Sequence, residues 1–259
     1  MSSAAPFSRL ILALIIFFSV CVLLSLPLAA APETKKRKPE ASITLVISQI
    51  YGGAGCGTAG CSTYKNDFIE LFNLGSSPIS LNGWSVQYAS AAGTTWQMTP
   101  LTNVSLNAGQ YYLVQEAGNA NGVNSLPTPD ASGSIAMNAT AAKVALVNNT
   151  TPLSGACPTG ASIIDFVGYG TAANCSESAN APAPSTTTSI VRVANGCTDT
   201  DNNSANFSAA LPNPRNTLNT NPCSPPPTDT ATFTPSLTAT PTETFTPGST
   251  PTVTDTPTD

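Results

Sequence analysis

The segment Asp67-Phe68-Ile69-Glu70-Leu71-Phe72-Asn73 repeats with a period of two: Ile69 and Leu71 fall on one face, Phe68, Glu70 and Phe72 on the other. A strand projects successive side chains to opposite faces, whereas a helix groups them every three to four residues. The same period recurs outward in both directions. Ile43, Leu45 and Ile47 precede it, and Trp84, Val86 and Tyr88 follow the dipeptide Asn82-Gly83, a hairpin signal. QYYLVQE (110–116) is the clearest case. Segments 94–98, 104–106, 143–148, 163–169 and 189–194 bring the total to eight to ten short strands between turn-rich stretches. A long Asn/Gly/Pro/Ala stretch, 117–142, has no period. No window beyond residue 31 shows the helical spacing of apolar residues, and 23 prolines and 18 glycines oppose a helical bundle. Alternation of this kind predicts one buried and one wet face, hence antiparallel sheets in an all-β sandwich or barrel.

Only 9% of the 259 residues are charged, against about 25% in ordinary soluble domains. There is no histidine, which excludes His-ligated metals, Ser-His and Cys-His nucleophile pairs and an imidazole base. Residues 41–223 hold Lys65, Lys143, Arg192 and Arg215 against eight acids, and only this part is apolar enough to fold. Its 183 residues suffice for one core of ordinary size. Nucleic-acid binding draws most of its affinity from basic contacts to phosphate, so four scattered bases in a net-acidic domain make autonomous DNA binding an expected absence.

The ends differ from the middle. Arg9, the apolar run 10–24 and the small residues Ala29, Ala30 and Ala31 have the order of a secretory signal over 1–31. An uncleaved anchor is the alternative, because 10–31 is long enough to cross a bilayer and would then be the chain's membrane contact. A basic linker, 32–42, follows with Lys35, Lys36, Arg37 and Lys38. Residues 224–259 contain 14 Thr and 8 Pro, a composition that predicts a disordered spacer or tail suited to O-glycosylation. Between these ends stand six cysteines, Cys56, Cys61, Cys157, Cys175, Cys197 and Cys223. An even number in an exported chain points to disulfides. Sequence permits fifteen pairings; nearest-neighbour pairing (56–61, 157–175, 197–223) is the expectation, since each pair closes one polar loop. Their spacing does not match the CxxC pattern of zinc sites.

The segments DFIELFN (67–73), GWSVQYAS (83–90), LNAGQYYLVQ (106–115), KVALVN (143–148), IIDFVGYG (163–170) and SIVRV…DTDNNSANF…PNPRN (189–216) occur in this order. In them the chain resembles a lamin tail domain over roughly 43–217, more closely the exported bacterial branch of that family. The resemblance implies an immunoglobulin-like β-sandwich and a non-catalytic module, often attached to secreted nucleases, phosphoesterases or surface proteins. It carries over no catalytic residues, and its proposed partners include DNA and other proteins.

Four groups of residues remain to be weighed. Glu70 and Asp165 sit mid-strand, and a carboxylate pair can do acid–base work; the plainer reading is solvent-facing acids or an internal pair with Arg192. Asp199, Asp201 and Asn203 place oxygen ligands at alternate positions, the first half of a calcium loop. Ser204 and Ala210 stand where that loop would have Gly and Glu, so Asp130, Glu177 or carbonyls would have to complete the sphere; an Asx-rich turn is the alternative. Arg215, within PNPRN, is expected to bond carbonyls or an acid as the chain leaves the last strand. Among the aromatic residues, alternation assigns Trp84, Tyr88 and one of Tyr111 and Tyr112 to the core and leaves Trp96 as the candidate for an exposed stacking surface.

The sequence therefore predicts a non-catalytic exported β-sandwich for binding, presentation or spacing at the cell surface or outside the cell. Its partner is an unidentified protein or surface polymer, met by the loops 52–66, 117–142, 170–187 and 195–206. It requires no cofactor other than the calcium weighed above. The alternative from another class is the accessory, substrate-targeting domain of a secreted nuclease or phosphoesterase whose catalytic part is missing from this chain.

Overall fold

A computed structural model describes residues 44–223 and Gly248. The predicted signal or anchor (1–31), the basic linker (32–42) and the Thr/Pro-rich tail (224–259, Gly248 apart) lie outside the described residues. The chain divides into two units, Met1–Cys223 and Ser224–Asp259, and the described fold lies in the first. No helix among the described residues is long and apolar enough to cross a membrane.

The architecture is all-β, an immunoglobulin-like sandwich of two packed sheets. In chain order the strands are β1 (Leu45–Tyr51), β2 (Ser62–Tyr64), β3 (Asn66–Asn73), β4 (Ile79–Ser80), β5 (Ser85–Ser90), β6 (Gln97–Pro100) and β7 (Ser105–Leu106). They continue with β8 (Tyr111–Gly118), β9 (Gly122–Asn124), β10 (Ala131–Ser132), β11 (Ala142–Val147), β12 (Ile163–Tyr169), β13 (Ser189–Arg192) and β14 (Phe207–Ala210). The larger sheet has the order β10-β8-β3-β1-β13-β14, the smaller β12-β11-β5-β6. Helix among the described residues is limited to a 3-10 turn, Val193–Gly196, and one α-turn, Asn203–Asn206.

The inward face follows the alternation. Ile69 and Leu71 of β3, Ile47 of β1, Val86 and Tyr88 of β5, Val144 and Leu146 of β11 and Tyr112 of β8 meet in one apolar core between the sheets, with Trp84 packed at its margin. Burying a side chain of this size contributes about 1.5–3 kcal/mol, and that face holds the layers together.

The outward face departs from expectation. It is not wet: β1 is buried at every position and β3 at all but its first. Each sheet carries a cover. Over the larger sheet run residues 212–223, where Asn213 N–H donates to Gln49 Oε1 (2.9 Å), Arg215 N–H to Glu70 Oε2 (2.6 Å) and Asn221 N–H to Gly109 O (2.7 Å). Gly109 is open to this approach because it lacks a Cβ and has φ +70°; a Cβ there would stand 2.9 Å from Asn221 O. Over the smaller sheet lie 149–162 and 171–177, packed on Ala145, Val147, Ile163 and Phe166. A polar outer row thus serves as a rack of hydrogen-bonding groups for covering backbone. Buried polar groups must be paired, and here the cover supplies the pairing.

Three further expectations are corrected. Asn82-Gly83 makes a turn, with Gly83 at φ +77°, but no hairpin: β4 pairs with β7, and β5 with β6 and β11. The sheets are not wholly antiparallel, since β10 joins β8 and β2 joins β9 in parallel. The aperiodic stretch 117–142 is not all free loop, because Ala131, Ile135 and Met137 reach the core. Two carboxylates hold it there: Glu116 Oε2 accepts Ile135 N–H (2.9 Å) and Asp67 Oδ2 accepts Met137 N–H (2.8 Å).

Candidate functional site

The six cysteines pair in nearest-neighbour order: Cys56–Cys61, Cys157–Cys175 and Cys197–Cys223. Cys157–Cys175 ties together the two halves of the smaller sheet's cover, and Cys197–Cys223 anchors the end of the larger one's. Three such bonds mark a protein of an oxidising, extracellular type of compartment.

Glu70 and Asp165 do not meet as a catalytic pair; each has its own arginine. Glu70 is fully buried and takes both Arg215 Nη2 (2.8 Å) and Ser48 Oγ (2.6 Å). Arg215 stacks on Tyr111, 3.8 Å from guanidinium carbon to ring centre. Asp165 pairs with Arg192 at 2.7 Å, both side chains fully buried. The pairing has a backbone cause. β13 runs beside β1 only at Gln49 and Ile50, which leaves Ile47 without a strand on that side. Ile47 N–H donates instead to Asp165 Oδ2 (2.6 Å), and Ile47 O accepts Arg192 Nε–H (2.8 Å). The ion pair fills a gap in the ladder and joins β12 of one sheet to β1 of the other.

The aromatic expectation fails at Trp96. The residue is 4% exposed, its indole N–H donates to Gly155 O (3.0 Å), and Phe166 packs against it edge-on. The cause is Lys143, which sequence alone leaves unassigned. Lys143 is buried, gives its ammonium to Gly93 O, Ala156 O and Asn174 Oδ1 at 2.6–2.8 Å, and lies over the indole. Tyr88, Tyr111 and Tyr112 are buried as well.

The carboxylates of Glu177, Asp199 and Asp201 are the ones that converge, each offering an oxygen within 4.8 Å of the others. Glu177 stands in the loop after β12, the two Asp in the turn after β13. Asn203 is placed differently from the sequence expectation. Its Oδ1 accepts Gly168 N–H (2.9 Å) and Glu177 N–H (3.2 Å), while its amide donates to Glu177 Oε2 (3.1 Å). It therefore holds Glu177 in position. Asp130 lies apart from this group, bonded to Leu113 N–H and Thr217.

One carboxyl bears on stability. Asp67 is pushed up to about 7 by burial, with the negative Glu116 adding to the effect and the Met137 and Ala54 amides opposing it. The folded chain therefore keeps this proton between its ordinary value of 3.8 and about 7, where the unfolded chain loses it. The folded state binds more protons in that window, so stability is greatest below it and declines as pH rises through it. The loss is roughly 4 kcal/mol at most. Urea unfolding in the presence of EGTA is expected to give a higher midpoint at pH 5 than at pH 8 with the same slope; an equal or lower midpoint at pH 5 would contradict it.

With this geometry in view, comparison adds a family. The lamin tail domain model matches residues 38–171, just over half of the sequence. The chain belongs to the lamin tail domain family. Among solved structures it is similar to a DUF4876 family protein from Bacteroides thetaiotaomicron VPI-5482, at 12% identity and a TM-score of 0.42, over 67% of this chain and 72% of that one. Among curated proteins there is no match. The family match spans β1 to β12 and stops short of β13, Arg192 and the two Asp. The lamin tail domain family is one of non-enzymatic immunoglobulin-like domains.

Proposed function

We propose that this lamin tail domain is an exported module for binding, presentation or spacing at the cell surface or outside the cell, carried out by residues 1–31 and extended by 224–259 as a spacer. One observation carries the reading. The acids within the sheets are engaged in fastening: Glu70 with Arg215, Asp165 with Arg192, Asp67 with the Met137 amide and Glu116 with the Ile135 amide. A sandwich roofed on both outer faces and closed by three disulfides withstands proteolysis while its loops face a partner. The acidic balance of 41–223 favours a protein or a surface polymer over nucleic acid.

Incubating the full chain with cell envelopes of its host, and separately with nucleic acids and phosphoesters, tests this. Saturable retention on envelopes with no turnover is the expected result. Hydrolysis of either substrate class that co-purifies with the protein, or a complete lack of retention, would overturn it.

A further inference from the structure

We propose that Glu177, Asp199 and Asp201 bind a calcium ion that pins the loop after β12 to the turn after β13. The spread of their oxygens, within 4.8 Å, suits an ion whose ligands stand at about 2.3–2.6 Å and hence up to about 5 Å from one another. Magnesium, with ligands at about 2.0–2.1 Å, would draw them closer together. Three carboxylates and no sulfur or imidazole make the donor set of a hard cation.

The second observation is independent of the clustering. The Asp199 side chain is 1% exposed. Its Oδ1 takes Arg192 Nη1 (2.8 Å) and the Asp201 N–H (3.3 Å), whereas its Oδ2 is buried with no hydrogen-bond partner among the described residues. A desolvated carboxylate oxygen without a donor is costly, and a cation held between the three carboxylates supplies what it lacks. Arg192 does not neutralise the group, since its single charge is shared between Asp199 and the buried Asp165.

The scaffold is in place before any ion arrives. Asn203 N–H donates to Glu177 O (3.1 Å) and Ser204 N–H to Ala179 O (3.0 Å), while Ser178 Oγ donates to Asp201 O (2.9 Å). Asn203 grips the Glu177 carboxylate from the other side, so the two loops already meet at a fixed spacing. A bound ion adds the remaining attraction, and because it joins a loop of the smaller sheet to a turn of the larger one, its effect is read as stability of the whole sandwich. The consequence extends to Arg192: with the ion bound, the guanidinium no longer stands alone against the acids around it.

The test uses the full chain, stripped with EGTA and then melted with millimolar calcium or magnesium. Calcium at about a hundredfold over its dissociation constant should raise the melting temperature by about 5–10 °C, reversibly with EGTA, and calorimetric titration should show one site. Glu177→Gln and Asp201→Asn keep size and hydrogen bonding, and Asn tolerates the φ of +50° at residue 201. Both variants should fold and lose the shift. Wild-type protein with neither a melting shift nor binding heat would overturn the proposal, as would an equal response to magnesium or a full calcium shift in both variants. Should either variant fail to fold, the wild-type titration decides alone.

Discussion

Arg192→Ala is expected to cost the domain about 3–5 kcal/mol, the range for removing one partner of a buried ion pair. Folded domains have only about 5–15 kcal/mol in all, so the variant should melt about 10–15 °C lower or fail to accumulate. The guanidinium has five engagements: Ile47 O, Thr198 O, Asp165, Asp199 and the face of Phe207, 4.6 Å from its ring centre. Its removal leaves two desolvated carboxylates without a cation and one carbonyl of β1 without a donor. Arg192→Lys should recover little, since one ammonium cannot reproduce a planar fork that meets acceptors on three segments. Arg215→Ala makes the control. That side chain is 15% exposed, and Glu70 would keep Ser48 and the backbone amide of residue 215, so a smaller loss is expected. If uncompensated charge is the main cost, R192M combined with D165N is less damaging than the two single losses added. Chemical denaturation of the wild type and these variants, the single R192M and D165N included, in EGTA decides; equal losses for Arg192→Ala and Arg215→Ala would remove Arg192 from the centre of the fold.

The position of Arg192 shows where sequence reading succeeds and where it stops. Period-two alternation correctly placed Ile69 and Leu71 inward and grouped Trp84, Val86 and Tyr88 on one face, because inward positions obey a single rule, burial of apolar surface. The same alternation misjudged the outer face. Gln49, Glu70, Gln87 and Lys143 have the composition of a solvated surface, yet all four are buried. What decides their environment is the non-local return of 212–223 and 149–162 over the sheets, and no local pattern encodes such a return. Trp96 was misplaced for the same reason, since its flanking Thr and Gln say nothing of the lysine that arrives from β11. The acidic cluster was legible in part: Asp199 and Asp201 stand two apart in sequence and Glu177 was among the groups able to complete their sphere, but that Glu177 rather than Asp130 joins them is decided through space, and Asn203 serves the cluster from outside. Very low charge was the available hint. A chain that exposes so few charged groups has assigned several of those it has to the interior.

The second large effect belongs to Cys197–Cys223. Its cysteines are 26 residues apart, against 18 for Cys157–Cys175 and 5 for Cys56–Cys61. Closing a loop restricts the unfolded chain more as the loop lengthens, which ranks the three at about 3.5, 3 and 2 kcal/mol. Replacing both cysteines of the longest pair by serine should therefore cost most, and the structure says where the loss begins. The bridge holds the end of the cover that closes Val46, Phe72 and Tyr111. Upstream of it the cover depends on Gln110 Nε2 to Thr217 O (2.6 Å), Tyr111 N–H to Asn219 O (3.2 Å) and the Arg215–Glu70 pair. Without the bridge these bonds at one end of the cover open locally before the sandwich unfolds, and a protease should cut first between 216 and 223. The C56S/C61S protein should lose less and be cut elsewhere, between 52 and 62. A C197S/C223S protein that melts like the wild type and resists the same protease would mean that Arg215 and its neighbours hold the cover unaided. The outer face would then owe its closure to hydrogen bonds, with the disulfide only recording that the two cysteines had come together.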